Sequence, residues 1–218
     1  MNNLPIDFIK KSIEDANNLV SKLPPEISQK PGASSQKIRH LLNNLCSIKD
    51  ARYLNVGVFT GSSLWSAIFN NKLRVTGIDW WRNGTAAKCD EREFWKNLSE
   101  VVNLEDGSFN REINIVNQDC FTVDLKNKYN IYLYDAEHSE DSQYKALTYF
   151  DKFLEDEFIL LVDDFDDEFV KSGTNKAIKD LNYNIQYRWE GKGCFGDWNP
   201  ASNHWWNGFL VALINKNK

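Results

Sequence analysis

Apolar residues near the start of the chain recur at helical spacing. Ile6, Ile9, Ile13, Ala16, Val20 and Leu23 fall three or four apart and make one stripe on a predicted helix, which Pro24-Pro25 terminates. A linker follows through Pro31-Gly32. Ser34 or Ser35 caps a second predicted helix, with Ile38, Leu41, Leu42, Leu45 and Ile48 on its buried face. From Tyr53 the period changes: short apolar runs alternate with amphipathic stretches, the pattern of a parallel sheet covered on both faces. Strands are predicted near 52–58, 73–79, 112–117, 130–135 and 157–163, with helices near 62–70, 86–102, 141–154 and 168–181. Tyr183, Ile185, Tyr187 and Trp189 then alternate with polar residues, and Gly208 to Ile214 is one more apolar run. Two strands therefore close the chain, joined by a Gly/Trp/Asn loop. The expected class is α/β, a doubly wound sheet of about seven strands, mostly parallel with an antiparallel strand at the C-terminal end, preceded by two helices. The expected division is a helical cap over 1–50 and one compact unit over 51–218.

Composition narrows the class of partner. The chain has 218 residues, 42% of them hydrophobic, enough for one substantial core and no more. Its net charge of −5 comes without a basic block, which argues against nucleic acid and anionic membrane and leaves a small molecule as the expected partner. A homo-oligomer stays open. Cys46, Cys89, Cys120 and Cys194 are scattered, with no CxxC pair and no zinc-like spacing, so they read as reduced thiols. The N-terminus lacks a basic start followed by an apolar run, and no stretch approaches the ~18 apolar residues of a membrane span. The expected compartment is the cytoplasm.

The candidate chemistry gathers at the predicted carboxyl ends of the strands. The first strand runs into Asn55-Val56-Gly57-Val58-Phe59-Thr60-Gly61-Ser62-Ser63, where glycines let the backbone turn tightly and approach a ligand at the start of a helix. The second ends in Asp79, a carboxylate placed to accept both hydroxyls of a ribose. Asp119 stands just after the third. A nicotinamide-dependent oxidoreductase is disfavoured because the turn is GxxxG, without the GxGxxG pattern that seats a pyrophosphate. The fourth strand runs into Asp135-Ala136-Glu137-His138 and the fifth ends in Asp163-Asp164. Three carboxylates at adjacent strand ends repel one another unless a cation neutralises them, and a hard divalent ion suits oxygen ligands.

At these residues the chain resembles the class I S-adenosylmethionine-dependent methyltransferases. More narrowly, it looks like the metal-dependent small-molecule O-methyltransferases that act on antibiotic sugars, cephalosporin precursors and catechols. The resemblance runs from about Ser35 to Ile214 and rests on 53–63, Asp79, Asp135-Ala136-Glu137-His138-Ser139 and Leu161-Val162-Asp163-Asp164. It implies a Rossmann-like fold and a cofactor site of Asn55, Gly57, Phe59, Thr60, Gly61, Ser62, Ser63, Asp79, Trp80, Asp119, Cys120 and Asp135. Within it, Gly57 and Gly61 border the methionine part, Asp79 holds the ribose and Asp119 contacts the adenine. The same resemblance implies magnesium on Asp135, Asp163 and Asp164, with His138 as general base. Asn55 stands where the family usually carries Glu or Asp, so a hydrogen bond to the methionine ammonium would be neutral instead of charged. Asn55→Glu is then expected to tighten the cofactor.

Methyl transfer from a sulfonium is an in-line displacement in which positioning supplies much of the catalysis. A metal would lower the pKa of the acceptor hydroxyl and His138 would take its proton. Two other readings remain: a metal-independent N- or O-methyltransferase, and a catalytically silent cofactor-binding or assembly protein. Trp80-Trp81 reads as a wall over the site or as core. The aromatic loop with Phe195, Trp198, His204, Trp205 and Trp206 reads as an overhang on the acceptor pocket or as a dimer contact.

Overall fold

The computed structural model describes residues 5–81, 91–105, 111–194 and 204–216. Seven strands form one sheet in the order β3-β2-β1-β4-β5-β7-β6. β1 (Ala51–Val56), β2 (Leu73–Asp79), β3 (Glu112–Asn117), β4 (Tyr129–Tyr134) and β5 (Leu154–Asp163) run parallel. β7 (Phe209–Lys216) runs antiparallel between β5 and β6 (Tyr183–Gly191), which leaves β6 parallel to the first five. Its carboxyl end therefore lies at the same edge as theirs.

Successive side chains on a strand point to opposite faces, so strands buried on both sides must be apolar almost throughout. Tyr53, Ile131, Leu133, Ile159, Leu161 and Val211 fill one face, packed with residues of α1 (Ile6–Asn17), α3 (Gln36–Leu45) and α4 (Ser62–Ile68). Leu54, Val56, Tyr132, Leu160, Val162 and Leu210 fill the other, under α6 (Glu140–Phe150) and α7 (Glu168–Asp180). Phe94, Leu98 and Val101 of α5 (Glu91–Asn103) join the first face. The predicted start of that helix, 86–90, lies outside the described residues.

The N-terminal segment departs from the periodic reading. α1 stops at Asn17, well before the prolines, because Leu19 turns left-handed (φ 54) and the Val20 N–H returns to the Asp15 carbonyl at 2.8 Å. Val20 is 54% exposed and contributes nothing to the stripe. Pro25 does not end a helix but begins one, α2 (Pro25–Ser28), as suits a residue with a fixed φ and no N–H. Three helical pieces thus precede the sheet. Ser35 is the cap of α3, its Oγ accepting from the Ile38 N–H.

Arg39 organises what lies between α2 and α3. It is fully buried and donates to the carbonyls of Ser28, Lys30 and Gly32 and to Ser34 Oγ, while its guanidinium lies 5.0 Å over the Trp65 ring. Burial lowers its pKa to about 10, so it stays charged at neutral pH. The segment it gathers presses on the start of α4, where a Cβ at Gly32 would lie 2.9 Å from Ser62 Cβ.

Candidate active site

Strand order reverses between β1 and β4, and in open α/β sheets ligands bind at the carboxyl edge beside such a switch. The turn after β1 sits there, held from every side. Gly57 (φ 85) is left-handed, and a Cβ on it would lie 1.7 Å from the Asp135 carbonyl oxygen, so only glycine lets β1 come this close to the end of β4. Asp79 Oδ2 accepts from the N–H groups of Val58 (2.8 Å) and Phe59 (2.6 Å). Trp81 Nε1 donates to the Phe59 carbonyl and Asn97 Nδ2 to the Thr60 carbonyl. Gly61 (φ 102) opens α4 without any side-chain cap.

These contacts give several of the candidate residues structural tasks. The amides of Val58 and Phe59 are taken up by Asp79 and do not face a ligand. Asp79 therefore braces the turn, with Oδ1 left to accept from elsewhere. Asn55 is fully buried, its Oδ1 accepting from Ser63 Oγ at 2.8 Å and its Nδ2 donating to the Gly57 carbonyl at 3.3 Å. It ties β1, the turn and α4 together, and a glutamate there would set a carboxylate against a carbonyl. Thr60, Ser62 and Ser63 are buried beneath the turn. Trp81 packs on Phe94 at 5.3 Å, whereas Trp80 stands 42% exposed at the strand edge.

Beside the turn lies the acidic group. Asp163 is 4% exposed and lies beside half-buried Asp135, close enough for each to act on the other's charge. Burial, then the charges of Asp163, Asp164 and Asp79, push Asp135 well above the usual carboxylate range; burial and Asp164 push Asp163 the same way. Two neighbouring carboxyl groups in so dry a place cannot both ionise cheaply, which favours a proton on the pair. His138 bridges the group. Its Nδ1 lies 3.2 Å from Asp164 Oδ2 and its Nε2 4.0 Å from Asp135 Oδ1. His138 Nε2, Asp163 Oδ1 and Asp164 Oδ1 are buried without a partner. Among the described residues no three carboxylate, imidazole or thiol groups are arranged as a ready-made metal site.

Neighbouring acids have separate tasks. Asp164 adopts a left-handed φ of 53, a strained conformation of the kind that clusters at functional sites. Asp166 binds the Gly193 N–H and Lys192 Nζ, fastening the loop after β5 to the end of β6. Asp167 caps α7 through the N–H groups of Phe169 and Val170. The cap of α6 is Ser139, so His138 is free of that duty.

On the other flank, the Gln118 N–H donates to the Asp79 carbonyl, which brings Asp119 and Cys120 close to the end of β2. Asp119 Oδ1 accepts from the Phe121 N–H. Burial, then Asp119, pushes the Cys120 thiol up to about 12, so it is an unreactive wall. Of the aromatic loop, the structure corrects the reading of its last two tryptophans. Trp205 and Trp206 are 5% exposed, with Trp205 edge-on to Trp189 at 4.7 Å, so neither overhangs a pocket nor offers a dimer contact. Phe195 and Trp198 lie outside the described residues.

The turn-bracing contacts of Asp79, Trp81 and Asn97, the Asp164–His138 approach and Arg39 were not legible beforehand. Tyr53 was missed as well: its hydroxyl is buried without a partner, near enough to Asp135 and Asp163 for their charges to add to burial in raising its pKa. Only the run of acids after β5 gave any signal.

No family model matches the sequence, and no curated protein does. Solved structures match in fold. A Pyrococcus horikoshii protein assigned as an RNA methyltransferase superposes with TM-score 0.56 at 12% identity, covering 96% of this chain and 98% of its own. A ribosomal protein L11 methylase of Lactobacillus delbrueckii subsp. bulgaricus gives 0.54 at 12% identity, over 86% of this chain and 83% of its own. A Streptococcus mutans protein assigned as a SAM-dependent methyltransferase gives 0.53 at 16% identity, over 83% of this chain and 48% of its own. The chain thus shares a Rossmann-like fold with structures assigned as methyltransferases. Identity this low speaks for the fold alone.

Proposed function

We propose that the chain is a methyltransferase that uses S-adenosylmethionine and methylates a hydroxyl of a small molecule, a sugar, polyol or aromatic. The observation that carries this reading is the direct abutment of the glycine turn on the acid–imidazole group, Gly57 lying against the Asp135 backbone. When bound, the cofactor would supply an electrophilic methyl group on a sulfonium. Gly57, Phe59 and Gly61 would line its methionine part, Asp79 Oδ1 would accept from the ribose, and Asp119 with Cys120 and Trp80 would border the adenine. His138 Nε2 is the candidate base: with Nδ1 turned to Asp164, its second nitrogen points where no protein group answers it. The chain's net charge of −5 supports a small acceptor over RNA.

The donor types suit a hard divalent cation such as magnesium, which would have to draw together carboxylates that do not by themselves form a ready-made site. Asp163 Oδ1 and Asp164 Oδ1 are unanswered buried acceptors, and the mutual repulsion that raises Asp135 and Asp163 is what a cation would relieve. Asp135, Asp163 and Asp164 would hold it, and it would polarise the acceptor hydroxyl. A second reading, transfer without metal, draws on the approach of Asp164 to His138, which leaves that carboxylate engaged with the imidazole.

Turnover of labelled cofactor on a pool of hydroxylated metabolites, with and without chelator and magnesium, tests both. Activity lost in chelator and restored by magnesium supports the metal; full activity in chelator removes it. No binding of S-adenosylmethionine or its demethylated product by calorimetry would sink the whole reading. His138→Ala should bind the cofactor normally and slow the chemical step by roughly 10²–10⁴-fold; an unchanged rate would remove the base assignment.

A further inference from the structure

We propose a second binding site at the opposite, amino edge of the sheet, for a small molecule carrying phosphate groups. There the chain reversals leading into β1 and β2, with the start of β3, enclose a cavity of about 700 Å³, a volume typical of small-molecule sites. Lys22, Lys49, Arg52, Lys72 and Arg74 line it against only Asp50 and Glu112. In a chain with 31 acidic and 26 basic residues, that local excess runs against the overall charge.

The placement of the cations is specific. Arg52 and Arg74 are register partners on adjacent parallel strands, so both project from the same face of the sheet. Like charges directly opposite one another destabilise a sheet, and an anion between them would reverse the sign. Arg52 reaches Glu155 at 3.2 Å through one terminal nitrogen, while its Nε is buried without a partner. Arg74 is 66% exposed and lies 3.6 Å from Glu112. Lys22, Lys49 and Lys72 have no carboxylate partner among the described residues. Lys22 Nζ instead binds the Asn70 carbonyl and Asn71 Oδ1, holding in place the reversal that carries Lys72.

A smaller cavity of about 190 Å³ continues past the same two arginines and offers Thr76, Asn114, Asn127 and Tyr129 as neutral polar contacts. Forked guanidinium groups beside ammonium groups suit a multiply charged oxyanion, with the uncharged polar groups of the smaller cavity left for the rest of the ligand. The cations are confined to one concavity and do not form a track, which favours a small phosphorylated molecule over a nucleic acid strand.

The test uses the full chain and inorganic pyrophosphate in low-salt, sulfate-free buffer, read by calorimetry and phosphorus NMR. One saturable site is expected. The exposed double variant Lys72→Gln with Arg74→Gln should weaken it at least about tenfold, as loss of charge-assisted contacts implies, without changing the melting temperature or the affinity for the demethylated cofactor. A control pair on the helices, Lys145→Gln with Lys176→Gln, should leave it unchanged. Absence of saturable binding at millimolar pyrophosphate, or equal loss in the control pair, would overturn the proposal. So would tighter binding of a single-stranded RNA oligonucleotide through the same residues. Pyrophosphate binding by a chain that ignores the cofactor would leave this site standing and remove only the methyltransferase reading.

Discussion

Asp79→Ala separates the bracing that this carboxylate performs from the ribose contact proposed for it. The substitution removes the acceptor for the Val58 and Phe59 amides, at 2.8 and 2.6 Å, and leaves both N–H groups in a left-handed turn with nothing nearby to receive them. Hydrogen bonds to a charged group contribute about 1.5–3 kcal/mol each. Asp79 is only half-buried, so the lower figure applies, and the two together amount to about 3 kcal/mol. For a chain of this size that corresponds to a fall of roughly 6–12 °C in melting temperature.

The same variant should lose the demethylated cofactor, since the ribose acceptor goes with the brace. Asp79→Asn tells the effects apart. Its amide oxygen can still accept from both amides, so stability should return to within about 1 kcal/mol of the parent. Its nitrogen cannot accept from a hydroxyl, so cofactor affinity should stay low. Thermal melts and calorimetry on both variants decide the matter. An alanine variant that melts with the parent would refute the bracing argument, and one that binds the cofactor unchanged would remove Asp79 from the ribose site.

Three further outcomes are expected. Asn55→Glu should destabilise the fold by a few kcal/mol, on the order of the penalty for an unpaired buried polar group, and weaken cofactor binding; a folded variant that binds more tightly would show that the ammonium does reach this position. Arg39→Leu should cost at least about 4 kcal/mol, because four buried or half-buried acceptors lose their donor at once, and denaturation that matches the parent would refute the clamp. Asp135 and Asp163 have native pKa values raised above the unfolded ~3.9, so the native state binds the extra proton and stability contributed by the pair falls as pH rises out of the carboxylate range. Buried His40, lowered to about 4 by burial and Arg39, has the opposite sign: its contribution is lost as pH falls from about 6.5. Asp163→Asn should therefore leave the acid loss from His40 unopposed and steepen it, and denaturation curves with the parent's pH slope would sink the shared-proton account.

Strands were readable because burial on both faces leaves an apolar run with sharp ends. The predicted limits 73–79 and 112–117 coincide with β2 and β3. β5 begins earlier than expected, at Leu154, because half-buried Glu155 and Glu157 and exposed Asp156 break the apolar run before it becomes fully buried. α1 was overextended since periodicity registers phase and not the left-handed turn at Leu19 that ends it. Asp135, His138, Asp163 and Asp164 could be placed at one edge because β4 and β5 are sheet neighbours, a matter of topology. What each side chain bonds to was not readable. Asn55 and Asp79 sit where the pattern put them, yet both spend their polar atoms on the turn. Trp205 and Trp206 follow a polar, glycine-containing stretch that looks like surface loop, but Trp189 of the edge strand β6 and Phe209 of its neighbour β7 draw Trp205 into the core.

The bracing of the turn bears on the chemistry proposed for the site. Displacement at a methyl group requires acceptor oxygen and methyl carbon to be held at near-attack distance, and an error of about 1 Å can cost 10²-fold. The parts expected to hold the two partners are therefore best carried on one rigid body. Here the Gly57 N–H binds the Ile78 carbonyl, the Asp135 N–H binds the Val56 carbonyl, and the Gly57 Cα lies against the Asp135 carbonyl. Turn and acid group are thus joined through backbone, with no intervening side chain to rotate. Any residue at 57 larger than glycine would have to part β1 from β4 and move the turn away from His138 and Asp135 together. The turn proposed to hold the cofactor and the candidate base are thus carried on one backbone unit, which is the property an in-line transfer between them demands.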